Sequence, residues 1–420
     1  MKADLLIRNA NEIITADRAS YRPKTGKYLQ DLGILKKSDV AIKNGRIVDV
    51  GFFKWEAEEV IDATNKIVLP GFVDCHTHLV FAGSRSFEYE AKTAGSSYAG
   101  QHKTGGILYT VEQTRKASLD ELVKKGLKDL DVMLRHGTTT VEIKSGYGLD
   151  EENELKILRV IKELQSNHPM TIMPTFLGAH TVPQEYKNDR EGYVDLVKRI
   201  IPKIRRERLA EYCDVFCDKL GFTYKESKDI LQAAKKEGLD LKIHAEQTGH
   251  NYGARLAAKL KAVSADHLDY ATEKDVTGMI ESKIIGVLLP GVTYHLTELI
   301  PGHKKLKKFL PAKIRGMIEQ GLPVALATDY NPGSCNTQSM KTVMETAARL
   351  YRMSYAEIIN ASTINAAHAL KMAHEIGSIE IGKKADLVVY DCEEHGMLID
   401  NFGVNLVDTV IKDGKIVYKK

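Results

Sequence analysis

The chain has 420 residues, 43% hydrophobic and 28% charged, which suits a soluble globular protein with one large α/β domain and a smaller one. A net charge of +4 is too small at this length to point to nucleic acid, and no stretch reaches the ~20 apolar residues of a membrane span. Five scattered cysteines (Cys75, Cys213, Cys217, Cys335, Cys392) and an opening "MKADLLIRNA" without a secretory apolar run lead us to expect a cytoplasmic protein with reduced thiols. Two basic stretches, "KIRRERL" (203–209) and "HKKLKKFLPAKIR" (303–315), read as solvated helix faces or loops whose mild field favours an anionic small molecule.

In chain order, "DLLIRNANEIITA" and "DVAIKNGRIVDVG" are β-branched and broken by a hairpin turn at Asn44–Gly45. The middle then alternates. Apolar runs that end in polar loops recur at "GFVDCHTH", "TTTVEIKSG", "TIMPTFLGAH", "CDVFCDK", "LKIHAEQ", "AVSADHL", "IIGVLLP" and "PVALATDY". Amphipathic helices fall between them. In "SLDELVKKGLKDLDVMLRHG" the pair Ser118 and Glu121 forms a capping box, Leu119, Leu122, Val123, Leu127, Leu130 and Leu134 form the stripe, and Gly137 caps the end. A second helix, "DEENELKILRVIKEL", takes Asp150 or a neighbour as N-cap. Cys213 and Cys217 read as strand interior rather than a zinc pair. The chain ends as it began, with "GKKADLVVYD" and "VDTVIKDGKIVYKK" and a turn at Asp413–Gly414. The expected fold is a (β/α)8 barrel over 70–375, with a small discontinuous β-sandwich built from 1–69 and 376–420. A doubly wound sheet is the alternative, weakened because no Gly-rich phosphate loop follows the first strand.

Chemistry in such a barrel sits at the C-terminal strand ends. There the sequence puts His76 and His78, then His180, His244 with Glu246 and Gln247 behind it, His267, and Asp329 with Asn331 close by. His76 and His78 alternate to one face of a strand. Three histidines and a carboxylate suit zinc or ferrous iron, and such a site activates water near neutral pH. Hydrolysis at a carbonyl or amidine carbon is the natural reaction class.

The motifs resemble the amidohydrolase superfamily. "VIDATNKIVLPGFVDCHTHL" resembles its entry strand and "GSIEIGKKADLVVYD" its return to the small domain. The order "FAGSR", "KSGYGL", "HAEQ", "DYNPGS" resembles the branch that opens the ring of 4-imidazolone-5-propanoate to N-formimidoyl-L-glutamate in histidine degradation. The resemblance implies one zinc or iron ion (Fe2+ or Fe3+) per chain, a substrate that carries a carboxylate, no nucleic-acid or membrane partner, and a homodimer. Carried over by motif, His76, His78, His244 and Asp329 would bind the metal, and His267 would assist its water. Arg85, Tyr147, His180, Gln247, Asn331, Gly333 and Ser334 would hold substrate. Arg85 offers a planar fork for a propionate, and the Gly333 and Ser334 N–H groups can face a carboxylate. His180 could bond the imidazolone oxygen.

One departure stands out. Many mononuclear relatives have a glutamate where this chain has Gln247, and an amide cannot shuttle protons. The shuttle then falls to Asp329 and His267, with Glu246 third, since strand alternation would put Glu246 on the His244 side. Lys144 lies on the second barrel strand, not the fourth where a metal-bridging lysine belongs, so one metal is expected. Another cyclic amide hydrolase or an aminohydrolase (deaminase) of the same superfamily is the alternative activity.

Overall fold

The computed structural model describes residues 2–93, 105–297 and 301–420. Eight parallel strands form the barrel ladder in sequence order: β6 (Phe72–Asp74), β7 (Thr138–Lys144), β8 (Thr171–Ala179), β9 (Tyr212–Cys217), β10 (Asp240–Ala245), β11 (Ser264–His267), β12 (Ile285–Leu288) and β13 (Val324–Leu326). Helices cover the outside, as parallel strands with both faces buried require. The barrel closes beyond its ladder. Asp329 N donates to His76 O at 2.9 Å, and His78 N donates to Tyr330 O at 2.9 Å. The same segments that carry the strand-end histidines and Asp329 therefore seal the barrel.

The helix Leu119–Arg135 has the expected Ser118–Glu121 capping box, and its end is turned by Gly137 at φ 86. Leu122, Leu130 and Leu134 are buried, while Leu119, Val123 and Leu127 pack at the edge of the core. Asp150 caps Glu151–Asn167 by accepting from Asn153 N. Cys213 and Cys217 are buried in β9, as their apolar setting predicts.

Strands from both chain ends form a second sheet: β1 (Lys2–Ile14), β2 (Ile34–Lys43), β3 (Arg46–Gly51), β4 (Glu56–Asp62), β5 (Ile67–Pro70), β14 (Leu387–Tyr390), β15 (Val407–Lys412) and β16 (Lys415–Lys419). A register shift between Ile7 and Ala10 bends β1, whose first half pairs with β4 and whose second half pairs with β5. This folds one continuous sheet over an apolar filling of Leu5, Ile42, Ile61, Leu387 and Ile411. The two hairpin turns meet there. Ala385 N donates to Gly45 O at 2.9 Å, and Gly414 N donates to Ala385 O at 3.1 Å.

The basic stretches fare differently. Arg205 and Arg206 are solvated at the end of Arg190–Glu207. In the second stretch the side chains of 303–307 lie outside the described residues, and two later cations are engaged rather than solvated. Arg315 pairs with buried Glu357 at 2.7 Å, and Lys313 donates to Asp269 O at 2.7 Å. No helix among the described residues is long and apolar enough to cross a membrane.

Candidate active site

A cavity of about 890 Å³, counted to its open mouth, lies over the C-terminal strand ends, with His78, His180, His244, His267 and Asp329 in its wall. Three residues at this rim have left-handed backbone: Glu246 (φ 58), His267 (φ 80) and Asp329 (φ 51). Such conformations cost on the order of 1–3 kcal/mol each for non-glycine residues and persist where packing dictates them.

Four donor atoms converge below the cavity floor. His78 Nε2 is 3.2 Å from Asp329 Oδ1, His76 Nε2 is 3.5 Å from the same oxygen, and His244 Nε2 is 3.4 Å from His78 Nε2. All four side chains are buried. Two tautomers follow from partners that can only accept. His76 Nδ1 donates to Asp266 Oδ2 at 2.6 Å, and His244 Nδ1 lies 3.0 Å from Asp214 Oδ2. With hydrogen on Nδ1, each ring presents an Nε2 lone pair inward. Lone pairs facing one another and a carboxylate oxygen repel unless a cation lies between them. Three contacts of 3.2–3.5 Å link the four atoms, and two overlapping groups of donors, His76–His78–His244 and His76–His267–Asp329, lie close enough for one cation to be shared. His76 Nε2, Asp329 Oδ1 and both ring nitrogens of His267 are buried without a hydrogen-bond partner among the described residues. The donor set fits a metal.

Burial holds the imidazoles of His76, His78 and His180 well below the usual histidine range, and it lowers His267 to about 3. All four are neutral at physiological pH. Burial also raises the carboxyl of Asp329, against the pull of His267 and His244. His267 Nε2 lies 4.0 Å from Asp329 Oδ2.

Sequence reasoning missed the layer beneath. Asp214 and Asp266 orient two of the putting-in histidines, and neither was singled out. The signal was present: both are charged residues inside apolar parallel strands, "CDVFC" and "SADH", where an unpaired charge is not tolerated. Lys144 Nζ is 2.8 Å from both Glu142 Oε1 and Asp214 Oδ2. Burial disfavours its ammonium, yet the carboxylates of Asp214, Glu142 and Asp266 raise its pKa well above the ordinary lysine value. It is a paired cation on the second barrel strand.

On the substrate side, several expectations change. Arg85 lines the cavity, but its fork is shared: Nε and Nη2 donate to buried Glu88 Oε2 at 3.1 and 2.7 Å. Its remaining Nη1 lies flat against Gly333, where a Cβ would come within 2.2 Å. The Gly333 and Ser334 N–H groups both donate to Asn331 Oδ1 at 2.8 Å, so they brace the turn and do not face the cavity as free carboxylate donors. His180 Nδ1 donates to Gly146 O at 3.0 Å, so the neutral ring offers an acceptor at Nε2. In that tautomer the ring has no N–H left to donate to an oxygen in the cavity. The ring of Tyr147 is buried between His78 and His180, at 6.0 and 5.4 Å between centroids. Gln247 lines the cavity beside them. Glu246 does not. The strand ends at Ala245, the left-handed turn breaks the alternation, and the Glu246 carboxylate accepts from Asn251 N at 2.6 Å and Ala254 N at 3.2 Å.

Residues 67–417 match the Amidohydrolase family. The chain is 44% identical to an imidazolonepropionase of Alkaliphilus oremlandii, covering 100% of this chain and 99% of that one. It is 45% identical to an imidazolonepropionase of Thermoanaerobacter pseudethanolicus, covering 98% and 97%. Among solved structures it superposes on a Xaa-Pro dipeptidase with bound methionine (TM-score 0.71, 18% identity, 99% and 100% covered). It also superposes on a zinc-bound adenosine deaminase of Xanthomonas campestris (TM-score 0.69, 19% identity, 99% and 93% covered). At these identities the two structures speak for the fold alone. A metal-hydrolase barrel with a histidine-rich floor and near-complete likeness to these relatives leaves one assignment: the chain belongs to the amidohydrolase family, among the imidazolonepropionases.

Proposed function

We propose that the protein hydrolyses the ring amide C–N bond of 4-imidazolone-5-propanoate to give N-formimidoyl-L-glutamate, a step of histidine degradation. The observation that carries this is the presence, in one chamber, of a donor set suited to a cation and the Arg85 guanidinium, whose Nη1 is not used by Glu88. The full-length likeness to imidazolonepropionases supports it.

His76, His78, His244 and Asp329 hold one zinc or iron ion, which when bound supplies Lewis-acid activation of water at neutral pH. The chain's own groups do the rest. Arg85 Nη1 takes the propionate while Glu88 steadies the guanidinium. His180 Nε2 accepts the ring N–H, and Gln247 bonds the ring beside it. Tyr147 closes the wall and excludes water. The water oxygen adds to the ring carbonyl carbon while its proton goes to Asp329; the C–N bond then breaks with its electron pair on the ring nitrogen, which takes that proton by way of His267. Gln247 cannot take that part, which disfavours the aminohydrolase alternative. A homodimer in the cytoplasm completes the proposal.

The test follows the loss of imidazolonepropionate absorbance with metal analysis of the same preparation. One zinc or iron per chain, with turnover abolished by a chelator and restored by metal, is expected. A metal-loaded protein that leaves the substrate intact sinks the substrate assignment; an apo protein with full activity sinks the metal mechanism.

A further inference from the structure

We infer that Lys144 is a positioning residue for the metal cluster: one buried ammonium holds two carboxylates that each fix the tautomer of a histidine ligand. The inference rests on the metal reading above. Lys144 is fully buried, and Asp214 and Asp266 are fully buried beside it. Its Nζ lies 2.8 Å from Asp214 Oδ2, the oxygen that sits 3.0 Å from His244 Nδ1. It lies 3.9 Å from Asp266 Oδ2, the oxygen that sits 2.6 Å from His76 Nδ1. Two chains of contacts therefore diverge from one atom to two ligands on different strands.

The layer explains why a cation is needed. Glu142, Asp214 and Asp266 place three carboxylates in one dry layer, with Lys144 and Lys242 as its cations. Thr175 Oγ1 donates at 2.5 Å to Glu142 Oε1, the same oxygen that both lysines contact. Remove Lys144 and three buried carboxylates face one remaining ammonium, so mutual repulsion drives Asp214 and Asp266 off their histidines. The rings then lose the partners that point their lone pairs inward, and outer partners of this kind govern metal affinity. Lys242 is the built-in comparison. It is as deeply buried, and it donates to Cys75 O at 2.8 Å and pairs with Glu142 at 3.1 Å. Among the described residues it makes no ion pair with Asp214, although its charge, like that of Lys144, acts on Asp266.

The experiment measures Zn2+ affinity of the full-length apo protein by competition with a chromogenic chelator. The variants are Lys144→Met, Lys242→Met, Asp214→Asn and Asp214→Asn with Lys144→Met. Lys144→Met is expected to weaken Zn2+ binding by about 10–100-fold, and Lys242→Met by less. Adding Lys144→Met to Asp214→Asn is expected to cost much less than it does alone, because the lysine acts through that carboxylate. Equal losses for the two lysine variants, or losses that simply multiply in the double variant, overturn the inference. If Lys144→Met does not fold, Asp214→Asn and Asp266→Asn decide: a loss of at least about tenfold in each supports it, and unchanged affinity overturns it. A wild-type chain that binds no Zn2+ overturns the metal reading and the inference together. Tight wild-type binding with unaffected variants overturns the inference alone.

Discussion

The rim of the barrel is built from histidines and one aspartate, and the layer beneath it from lysines and carboxylates, and the two behave differently. At the rim, His76 Nε2, the ring nitrogens of His267 and Asp329 Oδ1 are buried without a hydrogen-bond partner among the described residues. One layer down, Lys144, Asp214 and Lys242 are buried with charged partners at about hydrogen-bond distance. A folded chain tolerates unmatched buried polar atoms only where something else is to complete them. The rim atoms face the chamber, while the charges beneath them are held by one another.

That contrast is open to attack at several strengths. The largest effect is expected for Asp329→Asn, which removes a donor and the proton acceptor together. Turnover should fall by at least ~10³-fold with metal content well below that of the wild type, read by steady-state assay and elemental analysis. Retained turnover would make Asp329 a structural residue. Arg85→Met is expected to cost about 10²–10³-fold in kcat/KM, mostly through KM, with metal content unchanged. An effect confined to kcat would move Arg85 from binding to chemistry.

Acid gives a third, smaller effect with a definite sign. His76, His78 and His267 have folded-state pKa values below the ordinary 6.5. A lowered histidine pKa contributes stability that is present above the unfolded value and is lost as pH falls. Each group is expected to cost about 1.4 kcal/mol per pH unit below ~6.5, continuing towards about 3 for His267. Chemical denaturation of metal-free protein across that window measures it, and a flat profile would mean the rings are already solvated. The smallest effect belongs to Glu246→Gln. Its carboxylate braces Asn251 and Ala254 backbone N–H groups away from the chamber, so about 1 kcal/mol of stability goes while kcat holds. Lost turnover at normal metal content would return Glu246 to the proton path.

The rim was legible in sequence because its residues interrupt apolar strands at their ends, and strand ends are where barrels do chemistry. His76, His78, His244, His267 and Asp329 needed only that rule. The alternation rule failed at Glu246, since a left-handed turn at φ 58 is a tertiary outcome that pattern alone does not encode. The "NPGS" loop was read as a carboxylate nest, yet Asn331 occupies its own N–H groups, a local competition that Asn residues often win. The tautomer of His180 was not legible, because it depends on the Gly146 carbonyl, contributed by another strand's loop. The hidden layer was least legible: which lysine pairs with which aspartate is decided by neighbours 70 or more positions away. Both ends of the chain, by contrast, declared themselves through alternation and two Gly-containing turns.

The barrel's seam has a mechanical consequence. Its first and last strands are three residues each, and the gap between them is bridged by the His76–His78 and Asp329–Tyr330 segments. A cation held by His76 and His78 on one side and Asp329 on the other would act as a clasp across that gap. The amide protons of His78 and Asp329, which are the seam's own hydrogen bonds, are expected to exchange with deuterated solvent more slowly in loaded protein than in metal-free protein, while those of β8 and β9 stay level.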